Sequence, residues 1–260
     1  MTELAGKVAI VTGGSRGIGE AIAVDLAIRG AGIALVARSR DDLAKAAAAI
    51  AARSAARVMP FPCDLRGLDN IVALVPEVVA AFGRIDILVN NAGATKHGSL
   101  LERDDADWLD AYAAKIHAFV RLTRAAWPHL KATRGNIVNI GGVLAHAPNP
   151  NAIIGSTLAA AIVSLTKALA EYGRADGITV NGVNPGLIDT GRFRRHLAEL
   201  GEKHERSVAM EEAALLERAG IDRLGRADEV ATVVGMLLTG PASYLRGVMI
   251  DVDGGMTKSI

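Results

Sequence analysis

The chain has 260 residues, half of them hydrophobic and 22% charged, which suits one large α/β domain or two small ones and excludes a disordered chain. The 29 lysine and arginine residues nearly balance the 28 aspartate and glutamate residues, which argues against a partner made of nucleic acid or membrane lipid. The single cysteine, Cys63, excludes an internal disulfide and a cysteine-based metal site, and we predict no metal site of another kind.

The sequence also predicts a cytoplasmic protein. Residues 1–7 contain an acid and lead directly into an apolar run, which is unlike a secretory signal. We expect no apolar run that approaches the roughly 20 residues of a membrane helix.

Short β-branched apolar runs alternate along the chain with longer segments of helical spacing. The runs typical of buried strands are residues 8–11, 33–37, 58–61, 85–89, 136–140, 178–183 and 248–252. The segments typical of helices include residues 18–29, 42–53, 68–82, 105–130, 158–172 and 228–238. The alternation predicts a single-domain α/β fold, a doubly wound parallel sheet of the Rossmann-like kind with about seven strands and helices on both faces.

Residues 191–226 interrupt this alternation with a long, charged segment of helical pattern. An insertion there would lie over the carboxyl ends of the strands, where such sheets bind ligands, so it predicts a substrate lid or an oligomer contact. The segment combines apolar and basic side chains, which suit a hydrophobic or an anionic molecule: Phe193, Leu197, Leu200, Arg192, Arg194, Arg195 and Lys203.

A glycine-rich turn follows the first predicted strand and leads into a helix. Its glycines allow a sharp turn and a close backbone approach to a diphosphate, while the helix start offers free N–H groups and a positive dipole end. The alternative is an ordinary strand–helix turn. The residues predicted to bind a dinucleotide here are Gly13, Ser15, Arg16, Gly17, Ile18 and Gly19.

The end of the second strand indicates which cofactor is bound. A cofactor with a free ribose 2′-hydroxyl is usually met by an acid there, but this chain has Ala37 followed by Arg38. Arg16 can approach the same point, and two guanidinium groups suit a 2′-phosphate. We therefore predict NADP(H) rather than NAD(H), the alternative being two solvated surface arginines.

With this loop in place, the chain resembles the short-chain dehydrogenase/reductase family from end to end. The motifs that carry the resemblance are Thr12–Gly19, Cys63–Leu65, Asn90–Gly93, Gly135–Ile140, Asn184–Thr190 and Asp251–Gly255. The resemblance implies an oxidoreductase acting on a small carbonyl or alcohol, and a homo-oligomer (dimer or tetramer) formed through residues 105–130 and 156–172 and the last strand. It also implies further cofactor contacts at the adenine, along the cofactor path and at the nicotinamide: Asp64, Leu65, Asn91, Ala92, Gly93, Pro185, Gly186, Ile188 and Thr190.

The positions of the family's catalytic residues are different in this chain. Where the family has asparagine, serine, tyrosine and lysine, the matching residues are Lys115, Gly142, Gly155 and Ala159. The three tyrosines, Tyr112, Tyr172 and Tyr244, are not followed by a lysine four residues later, so no shift of register restores the pair. A phenol needs a nearby ammonium to act near neutral pH, and the usual mechanism cannot operate here.

Two residues are candidates for the missing acid/base. We hypothesise that Lys115 supplies the lost charge or donates the proton itself; the alternative is a lysine that extends to solvent. His146, and less directly His97, lie on loops that would flank a substrate, although each could be a loop histidine with one hydrogen bond. Ser156 and Thr157 could bind an oxygen or cap a helix.

Three functions remain open at this point. The chain could be an NADP(H)-dependent oxidoreductase with a rebuilt proton donor, a cofactor-binding sensor or partner subunit without catalysis, or a lyase or isomerase that uses the same pocket. Fold alone does not choose among them.

Overall fold

The alternating pattern of the sequence gives a layered α/β architecture in the computed structural model, which describes residues 3–93 and 95–258. The strands are β1 (Val8–Thr12), β2 (Gly32–Ala37), β3 (Val58–Pro62), β4 (Ile87–Asn90), β5 (Asn136–Ile140), β6 (Thr179–Pro185), β7 (Ile188–Asp189), β8 (Gly225–Arg226) and β9 (Met249–Val252). The α-helices are α1 (Gly17–Ile28), α2 (Arg40–Ala51), α3 (Leu68–Phe82), α4 (Asp105–Tyr112), α5 (Ala118–Thr133), α6 (Ile153–Tyr172), α7 (Gly191–His204), α8 (Val208–Ala219) and α9 (Ala227–Leu237).

Seven strands form one parallel sheet in the order β3-β2-β1-β4-β5-β6-β9. The order reverses between β1 and β4, so the loops after these two strands meet at the switch point where such sheets bind ligands. Every residue of β1 and β4 is buried, because helices cover both faces. The predicted single-domain, seven-stranded Rossmann-like fold is confirmed.

One core lies on each face of the sheet. The first joins side chains of α1, α2 and α9 to the sheet, and the second joins those of α3, α5 and part of α6 to its other side. Aliphatic residues dominate both cores, as the low aromatic content of 3% requires. Because the two cores cover both faces of the sheet, the site lies at the carboxyl ends of the strands.

Two helix boundaries differ from the prediction in ways that affect the site. The helix expected from residue 158 begins at Ile153, because the sequence Ile-Ile-Gly-Ser-Thr at its start contains no proline and nothing else that stops a helix. The helix expected over residues 105–130 is divided by a π-helical turn over Ala113–His117. Such turns concentrate at functional sites, and this one contains Lys115.

Helix α6 also corrects an expectation about apolar length. In the part of the chain that the structure describes, it is the one helix that is long and apolar enough to cross a membrane by length and composition, with 20 residues and a mean hydropathy of 1.7. Its buried side chains, such as Ile154, Leu158 and Ile162, pack inside the protein. Composition alone therefore gives weak support for a membrane helix here.

Residues 191–224 form a separate layer of two helices, α7 and α8. The segment leaves the sheet after β7 and returns at β8, and these two strands pair with each other through Ile188 with Gly225 and Asp189 with Arg226. This small second sheet was not foreseen, because two-residue strands carry no periodic signal.

Candidate active site

The loops after β1 and β4 are joined by a network around Thr12. The Thr12 hydroxyl donates to the carbonyl of Val89 (3.1 Å) and accepts from the backbone N–H groups of Asn91 (2.8 Å) and Ala92 (3.0 Å). The side chain of Asn91 donates back to the carbonyl of Thr12 at 2.9 Å. The predicted cofactor path along residues 91–93 is thereby fixed beside the glycine-rich turn.

The glycine-rich turn is packed too closely for side chains. A β-carbon on Gly19 would overlap the carbonyl oxygen of Gly13 and lie 2.5 Å from the Asn91 amide nitrogen. Gly13 and Gly17 have φ angles of +65° and +59°, which side chains rarely adopt. Helix α1 begins here without a side-chain cap, and Arg16 precedes its first residue. The turn therefore offers backbone N–H groups at a helix start, and this arrangement fits a diphosphate.

Two clefts open beside this turn and separate the two predicted phosphate-binding arginines. Arg38 lines a cleft of about 400 Å³ together with Cys63 and Asp64, at the ends of β2 and β3. Arg16 and Ser15 line a neighbouring cleft of about 280 Å³. Both guanidinium groups are exposed, so the structure leaves them accessible without joining them in one cleft.

The residues at the expected adenine position have defined partners. The Asp64 carboxylate accepts from the Arg66 backbone N–H at 3.1 Å and lies 3.3 Å from its guanidinium group, while Leu65 is buried. Burial and the charges of Asp64 and Glu77 raise the pKa of the Cys63 thiol to about 11. Cys63 is therefore a neutral lining residue.

The segment after β6 faces the glycine-rich turn from the other side. A β-carbon on Gly17 would lie 3.4 Å from the Thr190 methyl group, so these two predicted contacts are neighbours. Thr190 also caps α7, its hydroxyl accepting from the Phe193 N–H at 3.2 Å. Ile188 is buried, and Gly186 is closely packed against Asp253.

Lys115 lies directly against Gly93. Its Cδ, Cβ and Cγ atoms are 3.0–3.1 Å from the position that a β-carbon on Gly93 would take. Its Nζ atom lies 5.6 Å from the centre of the Phe119 ring, within reach of a cation–π contact. Burial lowers the pKa of the Lys115 ammonium to about 8, and the charge of Arg192 adds to the effect. The interpretation of a solvent-extended lysine is not supported by this packing.

Sequence reasoning placed Arg192 in the lid segment but missed its role at the cleft. From the first turn of α7, its Nη1 atom donates to the carbonyl of Gly93 at 3.3 Å. Gly93 thus contacts both the aliphatic chain of Lys115 and the guanidinium group of Arg192. The only signal in the sequence was the basic character of residues 192–195.

The other matched positions are small and differ in the space around them. A β-carbon on Gly142 would meet open space, and one on Gly155 would make ordinary contacts with Leu144 and the Thr95 hydroxyl at 3.4 Å. Ala159 is buried. Ser156 and Thr157 use their hydroxyl groups in local bonds, to the carbonyls of Ala152 (3.1 Å) and Ile154 (2.9 Å).

His146 belongs to a different cluster from Lys115. Its Nε2 atom lies 3.4 Å from the Asn184 amide nitrogen and 3.9 Å from an Asp251 carboxylate oxygen, where β6 and β9 end. Asn184 donates to Asp251 at 2.9 Å and accepts from the Gly142 N–H at 3.1 Å. The contacts of His146 and Lys115 share no residue, so the structure does not bring the two candidates together.

His97 lies against α7. Its ring stacks on that of His196 in α7, with centroids 3.9 Å apart. Desolvation and the neighbouring charges of His196 and Arg192 lower the pKa of His97 to about 4. Tyr112 packs with Trp108 in a small cluster with α6, as a core residue would. In the described ranges, no three histidine, cysteine or carboxylate side chains group closely enough for a metal ion.

Comparisons with known proteins agree with this architecture. A sequence model of the family described as short chain dehydrogenase matches residues 7–200. The chain is 35% identical to the 3-oxoacyl-[acyl-carrier-protein] reductase FabG of Pseudomonas aeruginosa over 98% of this chain and 99% of that protein. It is 32% identical to meso-2,3-butanediol dehydrogenase of Serratia marcescens, over 97% and 95% of the two chains.

The structural comparison gives a similar result. The crystal structure of L-sorbose reductase from Gluconobacter frateurii, complexed with NADPH and L-sorbose, superimposes with a TM-score of 0.95 and 34% identity over the whole of both chains. These three relatives act on different substrates by their names, so likeness alone does not select a substrate.

Proposed function

The chain belongs to the short-chain dehydrogenase family, and from that premise we propose that it is an NADP(H)-dependent oxidoreductase in which Lys115 replaces the usual tyrosine as proton donor. The observation that carries the proposal is the packing of Lys115 against Gly93 in the predicted cofactor path. The sorbose reductase structure, which holds NADPH, supports the choice of cofactor.

The residues present fit such a cofactor. The glycine-rich turn and the uncapped start of α1 would hold the diphosphate, Arg16 and Arg38 the 2′-phosphate, and the cleft beside Asp64 and Leu65 the adenine. Thr190 and Gly93 would flank the nicotinamide end. When bound, NADPH supplies a hydride to the carbonyl carbon of the substrate.

Lys115 completes the reduction with one proton. As the carbonyl carbon gains the hydride, its oxygen becomes negative and takes a proton from the ammonium, giving an alcohol and a neutral amine. Water then returns a proton to the amine. A pKa of about 8 suits this work, because efficient acid/base groups titrate near the operating pH.

The open space at Gly142 admits a substrate oxygen close to the backbone, whereas the position of a β-carbon on Gly155 is already in contact with Leu144 and Thr95. The segment predicted as a lid, residues 191–226, is proposed to act as one through α7 and α8, which lie before its last two residues in β8. Residues 105–130 and 156–172 are proposed to form a homo-oligomer contact. Leu109 and Tyr172, which are 72% and 70% exposed on these segments, favour such a contact. Light scattering of the purified protein tests it. A cytoplasmic location stays part of the proposal.

One observation favours a second function, cofactor binding without catalysis. The hydroxyl groups of Ser156 and Thr157, next to the vacated tyrosine position, are already bonded to helix carbonyls. A sensor or partner subunit would need the cofactor site and no proton donor.

The first experiment is a titration with NADPH and with NADH, followed by nicotinamide fluorescence. Tighter binding of NADPH supports the cofactor assignment, and no binding of either nucleotide contradicts it.

NADPH oxidation is then measured with a panel of carbonyl compounds for the native protein and Lys115→Met. Lys131→Met is the matched control, because Lys131 pairs with Asp176 at the surface. Equal activity of native protein and Lys115→Met would refute the proton-donor role. Tight NADPH binding without turnover favours the second function.

A further inference from the structure

Lys115 and Arg192, the two cationic side chains that contact Gly93, carry positive charge that the protein itself does not balance. In the ranges that the structure describes, no carboxylate lies within salt-bridge distance of Lys115 or Arg192. Desolvation lowers the pKa of the Arg192 guanidinium, and the charges of Arg16 and Arg195 add to the effect. Lys115 is only partly exposed and the Arg192 guanidinium is exposed, so both cationic groups are open to an anion that enters the site. An anion that approaches the partly desolvated ammonium is favoured, because it supplies the counter-charge that the protein does not.

The position of Arg192 in its helix makes the absence of a carboxylate partner energetically more costly. It lies in the first turn of α7 with Arg194 and Arg195, where the positive end of the helix dipole disfavours cations. Arg194 is balanced by Asp189 at 2.7 Å and by Glu212. Arg192 instead donates to the Gly93 carbonyl, a neutral group.

The two cations approach the same short segment beyond the glycine-rich turn. Along residues 91–93, Asn91 contacts the turn, whereas Gly93 contacts Lys115 and Arg192. The diphosphate already has the backbone N–H groups of the turn. The anion that Lys115 and Arg192 attract is therefore expected at the reacting end of the cleft.

We infer that Arg192 and Lys115 together bind a carboxylate beside the reacting carbonyl, so that the substrates are 2-oxo acids or, in the reverse direction, 2-hydroxy acids. This inference rests on the proposed function. The guanidinium group presents two parallel donors that match a carboxylate. The ammonium has three donors and can serve the carbonyl oxygen and the nearer carboxylate oxygen together.

The chemistry of such a substrate agrees with the vacated positions. Gly142 and Gly155 provide no side-chain hydroxyl to orient a neutral carbonyl compound, so orientation has to come from charged groups. An arriving carboxylate would also favour the protonated form of Lys115, because an opposite charge stabilises the ammonium. An acidic substrate would therefore keep its own proton donor charged at pH values above 8, where the free lysine loses its proton.

The test uses binding and turnover in the intact protein. Oxamate, an unreactive analogue of a 2-oxo acid, is titrated calorimetrically into the protein saturated with NADPH. We expect at least tenfold weaker oxamate binding in Arg192→Gln and no change in Arg195→Gln, the neighbour on the same helix turn. Arg192→Lys, which keeps the charge, should lie between them.

Turnover is compared for pyruvate and phenylpyruvate against their methyl esters. We expect kcat/KM to be at least tenfold higher for the acids and the difference to be lost in Arg192→Gln. Equal rates for acids and esters would overturn the inference. So would weakened NADPH binding with unchanged oxamate binding in Arg192→Gln, because the anion would then be the cofactor diphosphate. Oxamate binding without turnover of any carbonyl compound would support the carboxylate site and refute the proposed oxidoreductase.

Discussion

Lys115 packs its aliphatic chain against the α-carbon of Gly93, leaving 3.0 Å between its Cδ atom and the place of a β-carbon on that glycine. Gly93 also has a φ angle of +120°, which side chains rarely adopt. The lysine and the glycine are therefore suited to each other, and neither can change without disturbing the other.

Gly93→Ala is predicted to destabilise the protein by about 1–3 kcal/mol, because it combines backbone strain with a collision at Lys115. Urea unfolding measures the change. Gly142→Ala is the control, since its β-carbon would meet open space and its backbone is extended, and its stability should stay near that of the native protein. Equal effects of the two substitutions would show that the contact between Gly93 and Lys115 is unimportant.

Lys115→Met is predicted to stabilise the protein most at neutral pH. The pKa of Lys115 falls from its ordinary value of 10.5 to about 8 on folding, so the unfolded chain holds the proton more tightly. The free-energy cost of holding the charged ammonium in the folded protein is complete below pH 8 and disappears as the pH rises from 8 to 10.5. One pKa unit corresponds to about 1.4 kcal/mol, so the substitution gains at most about 3.5 kcal/mol.

The free energy of unfolding is measured for both proteins between pH 7 and pH 10.5, where the gap between them should close. A gap that stays constant with pH would mean that the ammonium is as well hydrated in the folded protein as in the unfolded chain.

Arg16→Gln and Arg38→Gln are each predicted to weaken NADPH binding about tenfold and to leave NADH binding unchanged, because only NADPH has a 2′-phosphate. The two arginines line separate clefts, so their cooperation needs the phosphate to lie between them. A double-mutant cycle on NADPH affinity decides this. Two arginines on one phosphate give a combined loss that differs from the sum of the single losses. Additive losses would mean that the two guanidinium groups act on NADPH independently, and a loss confined to one variant would assign the phosphate to that arginine.

Acidification is predicted to release α7 from the loop that holds His97. The pKa of His97 is about 4 in the folded protein and 6.5 ordinarily, so protons bind the open state better between these values and the stacked state loses stability as the pH falls. The protection of residues 191–204 from hydrogen exchange, taken relative to the intrinsic exchange rate at each pH, should therefore fall between pH 6.5 and pH 5. His97→Phe keeps an aromatic ring without a titrating group and should remove this loss of protection. An identical pH profile in that variant would contradict the assignment.

The fold followed from the sequence because its signals are local and periodic. The strand expected at residues 136–140 and the helix expected at 68–82 have those bounds in the structure. The structure departs from the predicted helices where a single interaction decides the local backbone conformation. The π-helical turn at Lys115 has no compositional signal, because an alanine-rich helix can continue through residues 113–117 equally well.

The site was predictable only where the backbone decides its geometry. Gly13, Gly17 and Gly19 reveal the turn because few other residues fit it. By contrast, the hydrogen bond from Arg192 to Gly93 joins residues 99 positions apart, and its formation depends on how α7 packs over the sheet. The separation of His146 from Lys115 likewise depends on tertiary packing, because the two side chains belong to different clusters.

The pairing of β7 with β8 brings the two ends of segment 191–224 side by side. A segment whose ends already meet can be lengthened, shortened or exchanged without changing the strands from which it departs. Replacement of segment 191–224 alone can therefore change the substrate preference of this chain, while the glycine-rich turn proposed to hold the cofactor stays the same. A chimaera that carries the corresponding segment of the sorbose reductase between residues 190 and 225 would be expected to keep this fold and take on a new specificity.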